Sequence, residues 1–166
     1  MDVAITDACI FIDLLECEGH EAFFRLPYRI ITSYQVWMEL DEGHRSVLSR
    51  SRLEVLELTD DFVTHTEDLG LSQSLSIADR SVWYLAKDNE AILLTSDKVL
   101  RRSGNSHSIE THGLLWIFDQ LVENQIIDPE TAKSKLEIVL DQNTYYKTNE
   151  KLMKAYAELI DKWENF

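Results

Sequence analysis

Proline and glycine are scarce in this 166-residue chain, with two of the first and five of the second. That excludes a collagen-like repeat, a proline-rich linker or a glycine-rich low-complexity tract. No apolar run approaches the roughly 18–20 residues that span a bilayer, so no membrane contact is expected. The start, Met1-Asp2-Val3, carries no basic stretch ahead of an apolar one, and a secretory leader is not expected. Cysteine is limited to Cys9 and Cys17. Their spacing matches no zinc pattern, and on one helix it puts the thiols beyond disulfide reach. Both read as reduced core thiols of a cytoplasmic protein. Positive charge is short as well: 16 Lys+Arg against 30 Asp+Glu leave a net charge of −14. A module that holds nucleic acid through a basic surface is thereby excluded. A nuclease with a local acidic pocket neutralised by metal is not.

What is present is enough for a core, with 45% hydrophobic and 28% charged residues, and the length favours a single main domain. Short apolar runs alternate with helical patterns. Val3–Thr6, Arg29–Thr32, the alternating Leu53–Leu58 and Ala91–Thr95 read as strands, with Leu53–Leu58 half-buried or at an edge, and a last short strand is placed around Ser108–Glu110. Between them, helices are predicted over 10–17, from Ser33 through Leu40, up to Leu69 before Gly70, and over 76–88. A short one starts at Asp97, and others cover 114–124, 128–140 and 149–164. This alternation predicts an α/β domain with a mainly parallel sheet. In such sheets sites form at the carboxyl ends of the strands, near the point where strand order reverses.

Thirty acids cannot all be functional, so position has to select among them. Asp7 and Asp97 each end an apolar strand and precede a helix. Asp79 stands in the first turn of a helix, with Val82, Trp83 and Ala86 at i+3, i+4 and i+7, on the edge of an apolar face. Glu39 lies one turn from Val36 on the helix behind the second strand. Each has an ordinary structural use: Asp7 and Asp97 as N-caps, Asp79 in a capping box with Ser76, Glu39 as a surface residue. Converging strand ends would bring the four into one pocket.

The ordered set Ile5-Thr6-Asp7-Ala8-Cys9-Ile10-Phe11-Ile12-Asp13, then Glu39, then Leu75-Ser76-Ile77-Ala78-Asp79, then Leu93-Leu94-Thr95-Ser96-Asp97-Lys98-Val99-Leu100-Arg101-Arg102 resembles the PIN domain. That is the nuclease fold of the toxin half of many bacterial toxin–antitoxin pairs. The resemblance covers residues 1–125. It implies a three-layer α/β/α nuclease domain there, with 126–166 as a C-terminal helical extension serving as a lid, a dimer surface or a docking element. It further implies a metal-dependent ribonuclease with Asp7, Glu39, Asp79 and Asp97 as catalytic, metal-binding acids, and Thr95 and Ser96 as hydroxyls beside them. Where the family often has hydroxyl or amide side chains after its first Asp, this chain has Ala8 and Cys9, so polar support from there is expected to be missing. Asp13 is expected to face solvent or a basic residue.

Two carboxylates about 4 Å apart repel by about 4 kcal/mol at an effective dielectric of 20, so a cluster of four needs cations or protons. Oxygen-only ligands favour Mg²⁺, with Mn²⁺ as a substitute; the five histidines are scattered and offer no zinc site. Substrate phosphates need local cations. Lys98, Arg101 and Arg102, following Asp97 with no acid up to His107, supply them, as does the stretch Arg45–Arg52. Trp37, Trp83 and Trp116 read as core and Trp163 as the candidate for a partner contact. RNA is the expected substrate, with an antitoxin protein and a second copy of the chain as further partners. A non-catalytic PIN-like scaffold and a receiver-type phospho-acceptor domain are the alternatives. The second wants an adjacent acidic pair after the first strand, whereas Ala8 follows Asp7.

Overall fold

The computed structural model describes residues 1–165. Five strands form one sheet in the order β3-β2-β1-β4-β5, every neighbouring pair parallel. They are β1 (Asp2–Thr6), β2 (Tyr28–Ser33), β3 (Glu54–Leu56), β4 (Ile92–Leu94) and β5 (Thr111–His112). Parallel strands are buried on both faces and therefore read as continuous apolar runs. Ala4, Ile5, Ile30, Ile31, Leu93 and Leu94 are all buried. The outer strand β3 instead alternates, with Val55 exposed, and Arg29 on β2 holds Glu54 through both guanidinium arms at 2.7 and 3.0 Å. The last strand lies three residues later than Ser108–Glu110. Ser108 adopts a left-handed φ of 60° and Ile109 N–H closes back on Gly104 O, so this stretch turns the chain before pairing begins.

The chain divides into two compact units, Met1–Ile12 with Pro27–Gly113, and Asp13–Leu26 with Leu114–Phe166. The first holds the sheet and the helices α3 (Tyr34–Glu39), α4 (Glu42–Leu48), α5 (Asp61–Asp68), α6 (Ile77–Asp88) and α7 (Lys98–Ser106). Helix α6 is fixed at its start by the Ser76–Asp79 capping box and buries Ala78, Val82, Trp83, Leu85 and Ala86. Side chains the size of Val82 and Leu85 contribute about 1.5–3 kcal/mol each relative to exposure. Ser81 Oγ on α6 lies 2.6 Å from Ser33 Oγ, which caps α3 by accepting Val36 N–H. A hydroxyl pair thus registers these two helices. Asp41 caps α4 in the same way through His44 N–H, which breaks the run after Leu40 into two helices.

The second unit holds α2 (His20–Phe23), α8 (Leu114–Glu123), α9 (Pro129–Gln142), α10 (Thr144–Thr148) and α11 (Glu150–Glu164). Helix α1 (Ala8–Glu16) starts in the first unit and ends in the second. Leu14, Phe23, Ile117, Phe118, Leu121, Leu136 and Val139 form the core of the second unit. A Cβ at Gly19 would lie 3.1 Å from Cys17 Sγ and 3.3 Å from Phe118 Cζ, so glycine here permits close approach. Several residues depart from the sequence reading. Asp13 is buried and accepts the Tyr146 hydroxyl at 2.5 Å rather than facing solvent or a cation. Trp163 is also buried, its Nε1–H donated to Asp119 at 3.0 Å, while Lys162 grips Asp119 and Glu123. It is packing for its own unit and not a free surface. Trp83 is fully buried as predicted, whereas Trp37 and Trp116 are only half-buried. Cys17 is buried as expected of a core thiol, whereas Cys9 is half-buried. Among the described residues no helix is long and apolar enough to cross a membrane.

Candidate active site at the carboxyl ends of strands β1 and β4

Strand order reverses between β1 and β4, the place where open parallel sheets leave a crevice. Their register sets what meets there. Thr6 pairs with Leu94, so the next residues, Asp7 and Thr95, emerge level with each other. Asp7 N–H still bonds Leu94 O at 3.2 Å. The Thr95 hydroxyl donates to Asp7 Oδ2 and accepts Asp97 N–H at 3.0 Å. One buried hydroxyl therefore joins the first acid of the expected quartet to the last.

Asp7 is buried. Its Oδ1 accepts Ile10 N–H at 3.2 Å, in the manner of an N-cap for α1, and the Cys9 thiol at 2.8 Å. Burial pushes its pKa up to about 6 against these donors, and the negative charge of Asp79 pushes the same way. Glu39 ends α3 and is exposed. Its pKa is also raised, first by partial desolvation and then by Asp79. Asp79 is thus an electrostatic neighbour of both, which is what the pairing of α3 with α6 allows.

Two acids of the four also cap helices. Asp79 Oδ2 accepts Ser76 N–H at 2.9 Å, and Asp97 Oδ1 accepts Leu100 N–H at 2.7 Å. These bonds turn the carboxylates toward their own helix starts. Among the described residues no three acidic, histidine or cysteine side chains stand close enough together to hold a metal ion. The donor set nonetheless fits a hard divalent ion. It is all oxygen, it is mutually repulsive, and each capping carboxylate uses one oxygen and keeps the other.

The neighbouring polar residues sort by position. Thr95 is fully buried and Ser96 half-buried, its N–H directed to Cys9 Sγ at 3.4 Å. Lys98 and Arg102 on α7 are exposed, and Arg101 is half-buried. Cys9 corrects the sequence reading. The thiol supplies the polar support that was expected to be missing, because the first turn of α1 aims it at Asp7 and the β4–α7 turn.

Comparison with known proteins now decides the family. A model of the family DUF3368, described as a PIN domain, matches residues 3–164. The chain belongs to the PIN-domain family. A solved domain of a functionally unknown protein from Methanocaldococcus jannaschii DSM 2661 is similar over 69% of this chain and 91% of that one, at 22% identity and a TM-score of 0.43. No curated protein matches. PIN domains are generally nucleases and typically use divalent metals, and the α/β architecture with an all-parallel sheet flanked by helices is consistent with that fold. A receiver-type phospho-acceptor drops out with the family. In this PIN domain the acids come from the ends of β1 and β4 and from α3 and α6. What sequence reasoning missed was Cys9, whose only signal was its place two residues after Asp7.

Proposed function

We propose that this PIN domain is a divalent-metal-dependent endoribonuclease in which Asp7, Glu39, Asp79 and Asp97 hold Mg²⁺, or Mn²⁺ in its place. The observation that supports it most is the coupling of these acids at one sheet crevice. The charge of Asp79 acts on both Asp7 and Glu39, while Thr95 ties Asp7 to the turn that carries Asp97. Bound there, the ion would acidify a water and offset charge on the phosphodiester oxygens. The chain's own residues do the rest. Asp7 is held rigid by three donors and keeps one orientation. Glu39, exposed and raised in pKa, is suited to orient a water at the rim. Thr95 and Ser96 fix the turn between Asp7 and Asp97. Lys98, Arg101 and Arg102 bring positive charge to a chain that otherwise repels RNA.

The toxin role belongs to the same proposal, with an antitoxin protein as partner; a neighbouring gene product that blocks cleavage would support it. The test of the nuclease reading is a cleavage assay on single-stranded RNA with Mg²⁺, Mn²⁺ or EDTA. Wild type should cut only with metal. Asp97→Asn should not cut, yet should fold normally, because Asn caps a helix as well as Asp. Equal cleavage by a pure D97N protein would refute the assignment, and a folded wild type inert with either metal would favour the scaffold reading.

A further inference from the structure

The three cations of α7 differ in their surroundings. Arg101 follows Asp97 by four residues, the spacing at which a helical Asp and Arg ordinarily pair. Yet none of the ion pairs among the described residues includes Arg101. Its guanidinium lies against Gly113 instead, directly after β5. A Cβ built on Gly113 would sit 3.3 Å from Arg101 Nη1, 3.9 Å from Arg101 Cζ and 3.5 Å from the Thr95 carbonyl oxygen. Gly113 does not adopt a left-handed φ, unlike Gly70, so its backbone conformation does not demand glycine. The guanidinium beside it instead makes a Cβ a tight fit. In a chain with 30 acids and 16 bases, a half-buried arginine that leaves every carboxylate aside keeps its planar fork of donors for something else. That fork matches two oxygens of a phosphate. Lys98 and Arg102, being exposed, have no such fixed placement.

We propose that Arg101 is the phosphate-binding residue of this site, and that Gly113 is its positioning residue, leaving room for the guanidinium at the ends of β4 and β5 to take one backbone phosphate of RNA. The assignment rests on the nuclease reading above. It distinguishes Arg101 from its two neighbours and gives a role to a glycine outside the acidic set.

The test uses the full chain and a labelled single-stranded RNA oligonucleotide. Affinity is measured against salt with Ca²⁺ in place of Mg²⁺, with the oligonucleotide checked for integrity, and kcat and KM are measured in Mg²⁺. Arg101→Gln should weaken binding about tenfold and raise KM with kcat little changed. It should also reduce the log–log salt slope by about 0.7, the share of one phosphate on a single strand. Arg102→Gln should change affinity less than Arg101→Gln. Gly113→Ala forces a shift of a few tenths of an ångström and should cost about twofold. Gly113→Val should match Arg101→Gln, and neither Gly113 variant should add to it, since the glycine acts only through Arg101. Thermal melts of each variant separate this from loss of fold, and Gly113→Ala carries the test if Gly113→Val does not fold. Arg101→Gln with wild-type affinity and slope, in a protein that still cuts RNA, would overturn the assignment and leave the nuclease reading standing. Additive losses at 113 and 101 would overturn the positioning role. A wild type that neither binds nor cuts RNA would overturn both readings.

Discussion

Asp7 and Asp13 are six residues apart, both buried, and both pushed up to about 6 by desolvation, yet they belong to different kinds of place. Asp7 sits at a strand end, held by Ile10 N–H, Cys9 and Thr95, with the charge of Asp79 acting on it. Asp13 lies inside a helical unit, accepting the Tyr146 hydroxyl, with the charge of exposed Glu16 on the same helix acting on it. Burial alone therefore does not mark a site. What marks Asp7 is its company: the Thr95 hydroxyl, the Cys9 thiol and the charge of Asp79 reach it from different elements, whereas Asp13 accepts one tyrosine hydroxyl and feels Glu16 of its own helix.

The largest effect expected from this contrast is on cleavage. Asp7→Asn should abolish it, by about a thousandfold or more if the acid set acts as a unit, while Asp13→Asn should leave it near wild type. Equal loss in both, measured as kcat/KM in Mn²⁺, would erase the distinction. The next effect is on stability. An acid whose pKa is higher folded than unfolded binds protons more tightly in the native state. Its stabilising contribution is full below the unfolded value near 4 and is lost as pH rises through about 6. A shift of that size corresponds to about 3 kcal/mol. Asp13→Asn should therefore stabilise the protein at pH 7 by about 2–3 kcal/mol and flatten the decline between pH 4 and 7 in denaturant titrations. Tyr146→Phe should do the opposite, costing about 1–3 kcal/mol at pH 7 and less at pH 4, because it strips the buried carboxylate of its donor. The smallest effect concerns Cys9. Cys9→Ser should keep the metal concentration for half-maximal cleavage within about twofold, and Cys9→Ala should raise it several-fold, with little change in melting temperature.

Much of the fold around the candidate site was legible because local chemistry carried it. The apolar runs of β1 and β4 each end in a turn bearing Asp, and Ser76 with Asp79 spells out a capping box that the structure contains. The edge character of β3 followed from its alternation. Helices α2, α4 and α10 went unseen, as helices of four to seven residues show too little periodicity to read. The last strand was misplaced because a left-handed Ser108 is invisible in a sequence. The setting of Asp13 was unreadable for another reason: its donor, Tyr146, lies 133 residues away. Trp163 was misjudged in the same way, since its partner Asp119 is set by packing and not by spacing. Long-range polar contacts are where a single chain says least.

Mn²⁺ titration by calorimetry, on wild type and on Asp7→Asn, Glu39→Gln, Asp79→Asn and Asp97→Asn in turn, tests most directly whether the four acids act as one. The account predicts saturable binding to wild type that each replacement weakens at least tenfold, with Asp13→Asn binding as wild type does. Undiminished Mn²⁺ binding by the four variants, or none by the folded wild type, would contradict it.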